Sequence, residues 1–154
     1  MKRIFIDMDY TLVDFTSGFH RARERNPGQP WPQSQYGFFA NLEPLPDAVW
    51  AWKRLQELGH VTYILTAPSI LNPMCYAEKR VSVEKIFGFE ACHNLIICED
   101  KSLLHGDVLI DDKTDSHKQD LFRGTFIHFG SQKFPDWRTT VGYVETELAD
   151  DKRR

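Results

Sequence analysis

Five short apolar runs, spaced along the chain and separated by helix-patterned stretches, constrain this sequence more than any other feature. They are Ile4-Phe5-Ile6, Thr62-Tyr63-Ile64-Leu65, Leu95-Ile96-Ile97-Cys98, Val108-Leu109-Ile110 and Thr125-Phe126-Ile127-His128-Phe129. Continuous apolarity without alternation is the mark of strands buried on both faces, as in a parallel sheet. Helical patterns fill the intervals. Pro46-Asp47 opens one, with Pro at an early helical position, Ala48, Trp52, Leu55 and Leu58 at helical spacing and Gly59 as the stop. Asn72-Pro73 opens another, with Tyr76, Lys79 and Val83 along one side before Gly88. Thr114 to Phe122 and Asp136 to Leu148 are further candidates. Strands alternating with helices predict an α/β fold: a Rossmann-like layered domain with a mostly parallel sheet.

One segment interrupts the rhythm. Asn26 to Gln35 (NPGQPWPQSQ) holds three prolines, a glycine and three glutamines, a composition that excludes a regular element. It is a long excursion between the first and second helices, and long ordered loops tend to be functional. The chain has 154 residues, one domain's worth. Its end, Asp150 to Arg154, reads as a frayed tail. Nineteen Lys and Arg against 22 Asp and Glu leave a net charge of -3, which argues against a nucleic acid polymer as partner. Three cysteines, Cys75, Cys92 and Cys98, are too few for a disulfide framework and lack paired zinc spacing. With no signal peptide and no apolar span, the expected setting is the cytoplasm, with no membrane partner.

Ligands of an open parallel sheet bind outside the carboxyl ends of its strands. Asp7, Asp9 and Thr11 follow the first run, Thr66 ends the second, Lys101 comes soon after the third, and Asp111 and Asp112 follow the fourth. One edge thus collects four carboxylates, two hydroxyls and an ammonium. Carboxylates this close raise one another's pKa unless a cation is present, and a hard divalent ion such as Mg²⁺ suits oxygen ligands. Lys101 then faces the remaining negative charge of a small anionic substrate. A carboxylate can act as a covalent nucleophile towards phosphorus. The six histidines show no metal-site spacing and read as structural or surface groups, and Asp107, at the start of the fourth strand, belongs to the far edge.

Phe5-Ile6-Asp7-Met8-Asp9-Tyr10-Thr11-Leu12 resembles the DxDxT signature of the haloacid dehalogenase superfamily phosphatases. Ile64-Leu65-Thr66 is similar to that superfamily's second motif, Lys101 to its third and Asp111-Asp112 to its fourth. Within it, the chain most resembles the 5'(3')-deoxyribonucleotidases over residues 4 to 130, through Asp14-Phe15, Gly37-Phe38-Phe39, Leu65-Thr66-Ala67-Pro68, Tyr76-Ala77-Glu78-Lys79 and Gly106 to Asp112. The resemblance implies Asp7 as nucleophile and Asp9 as general acid and base. It implies Mg²⁺ held by Asp7, the Asp9 main-chain carbonyl and an acid of the Asp111-Asp112 pair. Thr66 and Lys101 would hold the phosphate, and Phe15 and Phe39 the nucleoside. Lys79 matches a substrate-binding position, although a solvated surface lysine is an equal reading of its helix face. Phe15 divides evenly between core and substrate wall.

The chain departs from the animal members in two places. Their cap insertion after the first motif is longer and carries further aromatic base contacts. Here it is reduced to about residues 16–45, where Trp31 and Tyr36 are the candidate substitutes. Ala67 stands where animal members have a phosphate-binding Ser. The expected partner is a small phosphomonoester, a nucleotide, with room for a homodimer. Three alternatives stand beside it: a sugar phosphate as substrate, a phospho-receiver domain, and a non-catalytic nucleotide-binding module.

Overall fold

The computed structural model describes residues 1–148, so the expectation of a frayed tail at Asp150 to Arg154 lies outside the described residues. All five apolar runs are strands: β1 (Arg3–Ile6), β2 (Val61–Thr66), β3 (Leu95–Ile97), β4 (Val108–Asp111) and β5 (Thr125–His128). They form one sheet in the order β3-β2-β1-β4-β5, with every neighbouring pair parallel. Successive crossovers run outward from β1 to β3, then return past β1 to β4 and β5. The order reverses at the β1/β4 junction, which is where such sheets open a crevice at their carboxyl ends. Asp7 extends the junction by one residue, donating its N–H to the Ile110 carbonyl at 2.9 Å.

Alternation along the central strands divides the core in two. Ile4, Ile6, Ile64, Val108, Ile110 and Ile127 join buried residues from all four helices, α1 (Phe15–Arg25), α2 (Ala48–Glu57), α3 (Cys75–Phe87) and α4 (Trp137–Thr146). Phe5, Leu65, Leu109 and Phe122 form a thinner cluster on the other side. Among the described residues that side has no α-helix, and the Thr114 to Phe122 expectation is corrected here. The segment makes only a short 3₁₀ turn at Gln119–Leu121, preceded by Lys118 in the left-handed region at φ 59°. Its polar sequence offers no apolar stripe to bury, so tertiary packing cannot hold a helix there.

Two helix readings change in detail. Pro46 lies outside α2, whose first residue is Ala48 and whose cap, Asp47, has φ 62°. In α3 the buried face is Cys75, Glu78, Lys79, Ser82 and Val83, while Tyr76 is 54% exposed. The Pro-rich stretch does contain one ordered turn, a 3₁₀ turn at Pro32–Ser34. Residues 16–45 hold most of α1, this turn and a second at Phe39–Asn41. The segment fits closely: a Cβ on Gly18 of α1 would run into Leu42 Cδ2, so a larger residue there would require the Leu42 side chain to move.

Candidate active site

The loop after β1 is wound around one carbonyl. The N–H groups of Thr11, Leu12 and Val13 all point to the Met8 oxygen, at 3.3, 2.8 and 3.0 Å. This tight winding puts Tyr10 at φ 64°, a conformation that costs a bulky residue about 1–2 kcal/mol. From α4, the Trp137 indole donates to the Thr11 carbonyl at 2.9 Å and fixes the loop to the core. Asp7 and Asp9 are thereby brought to one cavity of about 350 Å³, at the β1/β4 crevice. Thr66, Lys101, Asp111 and Asp112 line the same cavity, as do Phe15 and Phe39. Asp107 does not: it accepts from the Arg3 N–H at 2.6 Å near the opposite edge.

Lys101 is 1% exposed and bridges two acids, with Nζ 2.6 Å from Asp7 Oδ1 and 2.6 Å from Asp111 Oδ2. Burial opposes its charge, yet these two carboxylates hold the ammonium above its ordinary pKa. Burial is also the largest influence on Asp7. It outweighs the attraction of Lys101 and, with repulsion from Asp111 and Asp9, lifts the carboxyl to about 7. Asp111 is fully engaged: Oδ1 accepts from the Lys113 N–H at 2.9 Å, and Oδ2 also accepts from Gln119 Nε2 at 3.1 Å. Asp112 is less committed, with the half-exposed Lys113 ammonium 2.9 Å from Oδ2 and the Thr11 hydroxyl 3.4 Å from Oδ1.

Lys79 corrects an expectation. It is neither a solvated surface lysine nor part of the cavity wall, but is 0% exposed behind it. Its ammonium donates to Asp9 Oδ2 at 2.8 Å, to Thr66 Oγ1 at 2.6 Å and to the Ala67 carbonyl at 2.7 Å. It also lies 5.1 Å from the Phe39 ring centre. One oxygen of Asp9 is therefore fixed from behind. The other, Oδ1, is buried without a hydrogen-bond partner.

Asp7, Asp111 and Asp112 each offer a carboxylate oxygen, all within 4.8 Å of one another, the one such cluster among the described residues. This all-oxygen set fits a hard divalent cation and not a thiophilic one. With every group ionised, the four acids face the three ammonium groups of Lys79, Lys101 and Lys113, one net negative charge. A divalent cation reverses that sign, and the cavity then complements a dianion such as a phosphate monoester.

The aromatic wall differs from expectation. Phe15 is half-buried, whereas Phe39 is 1% exposed and packs edge-on against Phe38 at 4.9 Å. Trp31 and Tyr36 do not line the cavity, and are 55% and 71% exposed. Tyr10 does line it and stacks on Phe15 at 4.8 Å; nothing in its sequence context singled it out. His117, taken as a structural or surface group, also reaches the wall, with Nδ1 3.0 Å from Glu99 Oε1. Sequence reasoning missed the polar hub behind the wall as well. The buried Glu78 carboxylate accepts from the Gly37 N–H at 2.6 Å, the Phe39 N–H at 3.0 Å and Asn72 Nδ2 at 3.1 Å. Asn72 Nδ2 also reaches the carbonyls of Gln33 and Gln35, at 3.2 and 3.3 Å. These bonds tie α3 to the Pro-rich loop.

No helix among the described residues is long and apolar enough to cross a membrane. A family profile described as "5' nucleotidase, deoxy (Pyrimidine), cytosolic type C protein" matches residues 31–138. The chain is 36% identical over 152 residues to a putative 5'(3')-deoxyribonucleotidase of Vibrio phage KVP40, covering 94% of this chain and 85% of the relative. It is 35% identical over 143 residues to the human mitochondrial 5'(3')-deoxyribonucleotidase, covering 73% of this chain and 63% of that one. It is 31% identical over 141 residues to the human cytosolic type, with 72% and 70% covered.

Proposed function

The chain belongs to the cytosolic type C deoxyribonucleotidase family of phosphatases, and on that premise we propose that it is a Mg²⁺-dependent hydrolase of deoxyribonucleoside monophosphates, acting through a phosphorylated Asp7. The observation that carries the proposal is the division of labour between two adjacent carboxylates. Asp7 is gripped by Lys101, and Asp9 has one oxygen fixed by Lys79 and the other buried without a partner beside the cavity. An acid oriented at one oxygen and free at the other is suited to carry a proton in both directions.

In this reading Asp7 attacks phosphorus, forming an acyl phosphate as the bond to the sugar oxygen breaks. Asp9 delivers its proton to that leaving oxygen. It then takes a proton from the water that attacks phosphorus, releasing inorganic phosphate and restoring the Asp7 carboxylate. Thr66 and Lys101 orient the phosphate. Mg²⁺ would be held by Asp7, Asp112 and the Asp9 main-chain carbonyl, and its contribution is to offset phosphate charge. Asp112 suits direct ligation better than Asp111, whose oxygens are already taken by Lys101, Gln119 and the Lys113 N–H. Residues 16–45 serve as a small cap on a single domain. A reducing cytoplasmic setting belongs to the proposal, supported by three cysteines that are all unpaired.

A sugar phosphate remains the second reading, because Trp31 and Tyr36 stay outside the cavity. Phosphate release measured over deoxynucleotides, ribonucleotides and sugar phosphates, with and without Mg²⁺, separates the two. Turnover of 2-deoxyribose 5-phosphate at least equal to that of every deoxynucleotide would replace the first reading with the second.

A further inference from the structure

The Pro-rich loop places one side chain in the cavity that the phosphate chemistry does not use. Gln33, at the centre of the Pro32–Ser34 turn, lines the cavity together with Phe15 and Phe39. Its Oε1 is buried and accepts no hydrogen bond from the protein. A buried acceptor without a donor carries a desolvation penalty that a folded protein seldom leaves uncompensated.

The backbone around Gln33 is held at several points. The Gln33 carbonyl and the Gln35 carbonyl are both held by Asn72, which is 1% exposed and is itself held by Glu78. Gln35 Nε2 donates to the Ala22 carbonyl of α1 at 3.0 Å, and the Ser34 N–H donates to the Trp31 carbonyl at 2.9 Å. Proline at position 32 fixes one backbone angle of the turn. The backbone that carries the carboxamide is therefore preorganised, and a ligand in the cavity is placed to supply the missing donor.

A phosphate dianion offers only acceptors. A base offers N–H groups in the plane of its ring. Resting on the nucleotidase reading, we infer that Gln33 is the residue that reads the base, accepting a ring N–H at Oε1 and donating from Nε2 to the neighbouring carbonyl. A planar carboxamide has the donor and acceptor side by side for such a pair. The ring edge that matches both atoms is an N–H/C=O edge, which thymine and uracil present on one ring and guanine on two. A cavity of about 350 Å³ is small among ligand sites, which run from about 300 to 1,000 Å³, and suits a one-ring base. Gln33 thus does in the short cap what an aromatic insertion would otherwise do.

The test measures kcat/KM for thymidine 5'-monophosphate, deoxycytidine 5'-monophosphate and 2-deoxyribose 5-phosphate in wild type and two variants. Gln33→Leu keeps much of the volume and removes both hydrogen-bonding atoms. It should lower the thymidylate value about five- to a hundredfold, the worth of two lost hydrogen bonds, and leave the baseless sugar phosphate within twofold. Gln33→Glu keeps an acceptor and loses the donor. It should lower the ratio of thymidylate to deoxycytidylate turnover, because a carboxylate still accepts from the cytosine amino group but repels the thymine carbonyl. A fold defect would depress all three substrates together and leave that ratio alone, so an unchanged ratio in Gln33→Glu overturns the inference. Equal losses on thymidylate and the sugar phosphate in Gln33→Leu overturn it too. If wild type itself shows no preference for a nucleotide over 2-deoxyribose 5-phosphate, the nucleotidase reading falls and the inference with it. A wild type that prefers thymidylate, with variants that do not alter the preference, removes only the role of Gln33.

Discussion

Replacing Lys79 with Met keeps the length of the side chain and deletes the ammonium that three groups share. Asp9 Oδ2 loses a 2.8 Å contact, Thr66 Oγ1 one of 2.6 Å and the Ala67 carbonyl one of 2.7 Å. Since Asp9 Oδ1 has no partner already, the Asp9 side chain would be left with none at either oxygen. Removing one member of a buried ion pair costs about 3–5 kcal/mol. Asp9 is 21% exposed, which places the expectation near 3 kcal/mol, because water can reach part of the stranded carboxylate. At about 2–4 °C per kcal/mol for a chain of this size, the melting temperature should fall by about 6–12 °C. Below the new transition, kcat should drop by about 10²-fold, as the acid that must meet the leaving oxygen is no longer held in place. Calorimetry and phosphate release on the same preparation read the two effects. A melting temperature within about 2 °C of wild type, together with kcat within twofold, would show that Lys79 is a solvated lysine after all.

Glu78→Gln should loosen the cap loop, since an amide cannot accept from both the Gly37 and Phe39 N–H groups while keeping Asn72; KM for a deoxynucleotide should rise about three- to tenfold with kcat changed less. Phe15→Ala should lower kcat/KM for a nucleotide about five- to a hundredfold, from lost stacking, and spare 2-deoxyribose 5-phosphate. Phe39→Ala should depress both substrates and the melting temperature, because that ring is 1% exposed. EDTA should abolish turnover and Mg²⁺ restore it, with Ca²⁺ a poor substitute. The burial that lifts the Asp7 carboxyl to about 7 makes protons compete with the metal. Mg²⁺ affinity by calorimetry should therefore rise by up to tenfold per pH unit below about 7 and level off above it; an affinity flat from pH 5.5 to 8 would contradict this.

The strands were legible because a doubly buried strand has a simple signature: β1 and β4 are unbroken apolar runs halted by the acids that matter. The acids followed from the topology, since strand ends of a parallel sheet converge whatever the sequence between them. Lys79 was singled out as a substrate contact, but the supporting role of Lys79 and Glu78 was not legible. Lys79 and Glu78 sit on the buried face of α3, where charge contradicts the amphipathic pattern used to find a helix's inner side. Their burial depends on partners 70 and 41 positions away, Asp9 and Gly37, which no local window contains. Thr114 to Phe122 failed for the opposite reason: helix-tolerant residues were present, but no apolar face existed to make the helix worth forming. Tyr10 was invisible because its place in the wall follows from the left-handed turn wound around Met8. Gln33 was one glutamine among three in a segment where attention fell on the aromatic Trp31.

Covalent capture at Asp7 is the claim from which the rest follows, and acid-quenched single turnover with ³²P-labelled thymidine 5'-monophosphate addresses it most directly. The protein should carry label within the first turnover, released by alkali and hydroxylamine as an acyl phosphate is, and mapped to the peptide containing Asp7. Asp7→Asn should bind the nucleotide, retain its circular dichroism spectrum, take no label and fall below about a hundredth of wild-type turnover. Label on a different residue, or an unlabelled Asp7→Asn that still turns over above that level, would contradict the account.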